Sequence, residues 1–206
     1  MEPPAFRGKE ANVDLAEWAR NYCVTVCKLY LMTRTGGKMD ALAFEKLDLL
    51  LGNHAPFLIS LSDGLQEELH IVIAAAEVGA EGGNIPDFEE VNEATREVLQ
   101  EILADTQPIE INERRLFEIC FHDYIIYQIR NESFSSFDPQ EIRCGKYLIT
   151  FEKSKLLSRL NEITDAQQLE DGSFYPDKWT HYGIYTQNHV IDVVSHCAPV
   201  ISRYTK

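Results

Sequence analysis

Basic side chains are almost missing from one quarter of this chain: residues 61–113 carry 14 carboxylates and a single cation, Arg96. Direct nucleic-acid binding is excluded as an expectation, because phosphate contacts need clusters of Lys and Arg and none is present. Long apolar runs are missing as well. The longest strongly apolar stretch, Ile71–Ala76, is far short of the roughly 20 residues of a membrane span. The amino-terminal MEPPAFRGKE has no apolar segment before its first charges, so a secretory signal is not expected and the protein reads as cytoplasmic, with no membrane partner. Cysteine is sparse: five residues, Cys23, Cys27, Cys120, Cys144 and Cys197, with no CxxC pair. That pattern argues against a disulfide framework and a zinc ribbon, and reads as reduced thiols. Gly79, Gly82 and Gly83 lack the Gly-Lys-Ser/Thr element of a nucleotide loop and read as a flexible connector. No cofactor is implied, and there is no internal repeat or low-complexity tract.

What is present divides in two. Residues 1–60 balance seven acids with seven bases, and residues 114–206 carry 12 against 11. The acidity of this net −14 chain is therefore one local field. In the first half, apolar residues recur at three and four positions, which predicts four amphipathic helices. The first runs through Leu15, Trp18, Tyr22, Val26 and Leu29, between Asn12 as cap and Gly36–Gly37 as stop. The second runs from Asp40 through Phe44, Leu47 and Leu51 to Gly52. The third starts at Ser62 or Asp63 and turns Leu65, Leu69, Val72, Ile73 and Ala76 inward. The fourth starts near Pro86 or Asp87 with Phe88, Val91, Val98, Leu99 and Ile102 on one stripe.

After Pro108 the pattern changes. Leu116–Phe121, Tyr124–Arg130 and Tyr147–Phe151 are β-branched and aromatic, with His122-Asp123 as a tight connection between the first two. Ser154 is placed to cap a short helix through Leu156, Leu160 and Ile163. Tyr182–Ile184 and Val190–Val194 flank Gln187-Asn188 as a hairpin. The expected class is α+β: an N-terminal helical bundle-like half (10–106, with an acidic face), then a mostly antiparallel β-sheet half (109–206) with one or two helices. The halves form separate domains or share one core.

Two binding features stand out. On the fourth helix Glu89, Glu93, Glu97, Glu101 and Asp105 follow one another at i+4. Each step drifts only about 40° around the axis, so the row is a ridge roughly 24 Å long opposite the apolar stripe. Like charges at this spacing oppose the helix by about 0.2–0.5 kcal/mol per contact, a cost that lysines at alternate positions would remove. Such a ridge suits a docking surface for a basic protein, a toxin or a nucleic-acid-binding enzyme. The second feature is Tyr127-Gln-Ile-Arg-Asn-Glu-Ser-Phe-Ser-Ser-Phe137, where Arg130, Phe134 and Phe137 sit at a strand end leading into a loop. Aromatics and arginine are typical anchors of a binding patch, to which Trp179, His181, Tyr182 and Tyr185 are placed to contribute. The alternative is an ordinary loop with both phenylalanines tucked into the core.

Motifs for chemistry are weaker. Glu67-x-x-His70 on a helix is one half of a di-iron carboxylate pattern whose other half is missing, so no metal is expected there. The carboxyl half holds His122, Asp123, His181, His189, Asp192 and His196 near Cys120, Cys144 and Cys197. Cross-strand His181 and His189 on zinc, or Cys144 with His181 as a nucleophile pair, are arrangements the spacing permits without selecting. The leading expectation is a non-enzymatic acidic binding or inhibitor protein, immunity-protein-like or anti-defence-like, with no catalytic residue. The rival is a small hydrolase using the His/Asp/Cys set, which requires a histidine converging with a carboxylate or thiol beside a concave pocket.

Overall fold

Strands dominate the described residues, including within the half that reads as helical. The computed structural model describes residues 43–64, 67–79, 92, 95, 98, 106–175 and 177–204, all within one unit spanning Ala41–Lys206. The expected first helix and all five ridge carboxylates (Glu89, Glu93, Glu97, Glu101 and Asp105) lie outside the described residues.

The described chain begins with helix α1 (Phe44–Leu51), which ends at Gly52 with φ +83°, the left-handed stop that glycine supplies. Nine strands make up the two larger sheets: β1 (Phe57–Asp63), β2 (Glu68–Val78), β3 (Ile109–His122), β4 (Tyr124–Asn131), β5 (Ile142–Cys144), β6 (Leu148–Lys153), β9 (Thr180–Tyr185), β10 (His189–Ser195) and β11 (Val200–Arg203). Between β6 and β9 come two one-turn helices, α2 (Lys155–Ser158) and α3 (Leu160–Ile163), and a small hairpin of β7 (Gln167–Gln168) and β8 (Phe174–Tyr175). One antiparallel sheet has the order β1-β2-β3-β11, the other β4-β10-β9-β6-β5. A shared core joins their facing sides: Leu69, Ile71, Ile73, Phe117, Ile119 and Phe121 from the first, and Leu148, Tyr182, Ile184, Ile191 and Val193 from the second. The rings of Phe121 and Tyr182 meet at 5.3 Å across it.

The helical bundle-like half is therefore corrected. Its third helix is β2, paired with both β1 and β3. Both faces of β2 are buried from Ile71 to Ala76, so polar residues do not interrupt the run at every second position. A continuous apolar segment of that kind matches helix and buried strand alike on spacing, and β-branched Ile71-Val72-Ile73 decides for the strand. The class is mostly antiparallel β with short helices.

Other elements follow the sequence. The Ser154 side chain accepts the Leu157 N–H and caps α2, and β9 and β10 form the expected hairpin. Leu116–Phe121 and Tyr124–Arg130 are strands, but they do not pair with each other. Asp123, at φ +59°, passes the chain from one sheet to the other. Buried Asp48 fastens α1 to the second sheet by accepting three backbone N–H groups, from Lys146, Tyr147 and Leu148, at 2.7–2.9 Å. No helix among the described residues is long and apolar enough to cross a membrane.

Candidate functional site

Strand register sets the outer face of the five-stranded sheet, the side away from the shared core. Arg130, Val190 and Tyr185 are partners in one row across β4, β10 and β9. Gln128, Asp192, Gly183 and Ile149 make the next row, and Ile126, Val194, His181 and Phe151 the one after. Since opposed residues share a face, four polar side chains are brought together in the middle of an apolar surface.

They form a continuous hydrogen-bonded chain. Ser154 Oγ lies 2.8 Å from His181 Nδ1 and also accepts the Leu157 N–H at 3.1 Å. His181 Nε2–H then donates to Asp192 Oδ1 at 3.1 Å. The second carboxylate oxygen accepts from Gln128 Nε2 at 2.9 Å and from Arg130 Nη2 at 2.8 Å. Burial works to raise the Asp192 carboxyl, but the hydrogen bonds from His181 and Gln128, with the charges of His181 and Arg130, outweigh it and hold the group below its ordinary value. The imidazole stacks on Phe151 at 4.2 Å. Gly183 makes room for that ring, since a Cβ there would stand 2.9 Å from it.

At the edge of the same face stands the aromatic patch. Asn131 accepts the Ser133 N–H and turns the chain out of β4 into a 3₁₀ turn (Glu132–Phe134). Phe134 and Phe137 are 89% and 60% exposed, not tucked into the core. Phe137 meets Tyr185 edge-on at 5.6 Å, and the Arg143 guanidinium sits 4.7 Å over its ring. Tyr185 thus shares a row with Arg130 and meets Phe137, while Phe134 stands exposed. Trp179, His181 and Tyr182 lie toward the other end of β9 and do not join this patch. Arg143 has no distinctive spacing, and it was missed because only pairing of β5 with β6 brings it here.

A second polar cluster lies on the first sheet, on the face away from the shared core. Register pairs Glu68 with His122 and His70 with Cys120. Glu68 is shared: Oε1 stands 3.0 Å from His122 Nδ1 and Oε2 3.5 Å from His70 Nε2. His70 Nδ1 also meets Glu118 Oε1 at 3.1 Å, and the Cys120 thiol is 3.6 Å from His122 Nε2 and 4.0 Å from His70 Nε2. The Glu67–His70 pair fails as a helical motif because the segment is a strand. Glu67 precedes it at φ +59°, and alternation makes Glu68 the partner of His70. No three His, Cys, Asp or Glu among the described residues are arranged to hold a metal ion.

The remaining expectations are separated. Cys144 stands exposed opposite Thr150, while His181 is engaged by Ser154 and Asp192. His189 opens β10 beyond the turn, with a buried Nδ1 that has no partner, and does not converge with His181. Cys120 and Cys144 are free thiols. Compared with protein-family models, with curated proteins and with solved structures, the chain matches none.

Proposed function

We propose that this chain is a binding protein that docks on a basic protein surface through the loop carrying Phe134 and Phe137. The observation that carries the reading is their exposure, 89% and 60%. Burying a phenylalanine is worth about 1.5–3 kcal/mol, so two left in solvent reserve a substantial gain for association. Near the loop, Lys155 pairs with Asp138, Arg143 sits over Phe137 and Asp192 meets the charge of Arg130, leaving Glu132 and Glu141 and the charge of the whole chain to favour a basic partner. The net charge of −14 supplies long-range steering toward a basic surface, with Glu89, Glu93, Glu97, Glu101 and Asp105 as its densest row.

The test is capture from native lysate by the wild-type chain, by Phe134→Ser/Phe137→Ser, and by Glu93→Gln/Glu97→Gln/Glu101→Gln, at low and high salt. A basic protein should be retained by the wild type, lost with the aromatic pair, and bound more slowly and with flatter salt dependence by the glutamine variant. Identical capture by all three chains would remove both surfaces from the account.

A second reading, a small hydrolase, rests on the Ser154–His181–Asp192 chain. It ranks below the first because Ser154 and His181 are each 2% exposed and the serine oxygen is already committed to capping α2. Fluorophosphonate labelling of Ser154 in the folded protein would favour it; an unlabelled serine leaves the chain of bonds a structural brace.

A further inference from the structure

At the end of β9 remote from the aromatic patch, a cavity of about 820 Å³ opens between the β6–β9 edge, the one-turn helices and the β7–β8 hairpin. That volume lies in the roughly 300–1,000 Å³ range of small-molecule sites. We propose that it binds a neutral saccharide.

The lining argues against two common ligand classes. Lys178 is the one Lys or Arg among the described lining residues and stands with Glu45 and Glu152, so a phosphate or carboxylate ligand would meet net repulsion. A lipid or steroid would bury the amides of Asn161, Gln167 and Gln168 against hydrocarbon, which is costly without replacement hydrogen bonds. Polyhydroxylated rings match both halves of the wall. Each amide donates and accepts, and carboxylates accept, as adjacent hydroxyls require. No hydrogen bond to a described residue engages the side-chain amides of Asn161 or Gln167, so they are available.

Trp179 supplies the platform on which the C–H face of a sugar ring would rest. It packs against the cluster of Leu156, Leu160, Ala166 and Val194, and the edge of Phe174 fixes it at 4.7 Å and 85°. The indole is thus held while still lining the cavity. The neighbouring part of the wall is equally fixed. His181 lines it, and Ser154, Asp192 and stacked Phe151 hold that ring on three sides. The buried polar chain thereby acquires a role as a brace that preorganises the site. This proposal is independent of the docking reading, since the two use opposite ends of β9.

The experiment is saturation-transfer NMR on the full chain with glucose, galactose, mannose, N-acetylglucosamine, maltose, cellobiose and lactose at millimolar concentration, with glucose 6-phosphate as the anionic control. At least one neutral sugar should receive saturation from aromatic protons, and glucose 6-phosphate should bind less well than glucose. Trp179→Ala should weaken the positive sugar by about tenfold or more, and Trp179→Phe should retain most of the binding. Gln167→Ala and Asn161→Ala, at exposed positions where folding is not at issue, should each weaken it; they decide the matter if circular dichroism shows Trp179→Ala unfolded. Absence of binding by every neutral sugar, a preference for the phosphorylated one, or affinity unchanged in these variants overturns the proposal.

Discussion

The two polar networks, one on each sheet, use the same residue types and differ in how they are wired. On the second sheet the connection is linear: one histidine and one carboxylate carry it from Ser154 through Asp192 to Gln128 and Arg130. On the first sheet it is branched. His70 and His122 divide Glu68 between them, and Glu118 is a further partner of His70. A linear network has no spare acceptor, so losing its centre strands every neighbour. A branched one has a substitute, so losing one member redistributes the rest. Connectivity should therefore govern the cost of a substitution more than the number of bonds removed.

The largest effect that follows is at Asp192. Asp192→Ala removes the only acceptor of His181 Nε2–H, whose ring is 2% exposed, and should cost about 3–5 kcal/mol, as breaking a buried pair does. The Arg130 share is discounted because that side chain is 42% exposed. Glu68→Ala should cost less, roughly 1–2 kcal/mol, because Glu118 still receives His70. Urea denaturation of both variants measures the difference, and equal losses would break the contrast between linear and branched wiring.

The same carboxylate makes a pH prediction. Its folded value lies below the ordinary one, so its stabilisation is complete above the unfolded value near 4 and is lost as pH falls through the lower folded value. Wild type should accordingly exceed Asp192→Asn in stability at neutral pH, and the gap should close on acidification below about pH 4. A gap that stays constant to low pH would mean that ionisation of Asp192 is not what the network stabilises.

Next in size are the two residues that shape the linear chain without sharing its charge. Ser154→Ala deletes the α2 cap and removes the hydroxyl beside His181 Nδ1, at about 1–2 kcal/mol. Gly183→Ala places a methyl 2.9 Å from the Phe151 ring and should cost about 1–3 kcal/mol by overpacking. It should also disturb the stacking of that ring on His181, visible as a shift of the imidazole proton resonances. An unshifted imidazole would show that the face tolerates the added atom and that Gly183 is not needed for the stack.

Legibility in the sequence followed the same division. The Ser154 cap, the β9–β10 hairpin and the stop of α1 at Gly52 are local signals, carried within a few residues, and they were readable. Strand β2 was not, because burial of both faces erases the polar alternation that marks a strand, and its i+4 matches then suggest a helix. Arg130, Phe134 and Phe137 were singled out from composition alone, yet Tyr185 and Arg143 reach Phe137 only through strand order, which no local pattern encodes. Likewise the pairing of Ser154 with His181 spans 27 residues and that of His70 with Glu118 spans 48. The residue types announced polar networks; the partners depended on register.

The smallest predicted effect sharpens the contrast from outside both networks. Phe134 is 89% exposed and contributes no buried area that its removal would forfeit. Phe134→Ser should therefore change unfolding free energy by no more than about 0.5 kcal/mol, the range of ordinary surface positions. Phe137, held between Tyr185 and the Arg143 guanidinium, should cost somewhat more, about 0.5–1.5 kcal/mol for the lost ring contacts. Urea denaturation separates the two, and the distinction matters for function. A residue whose removal leaves stability unchanged is free to be selected for association alone, whereas one that is also structural cannot report cleanly on binding. If Phe134→Ser instead destabilised the fold as much as Asp192→Ala, the ring would be serving the core and the docking surface would lose its clearest anchor.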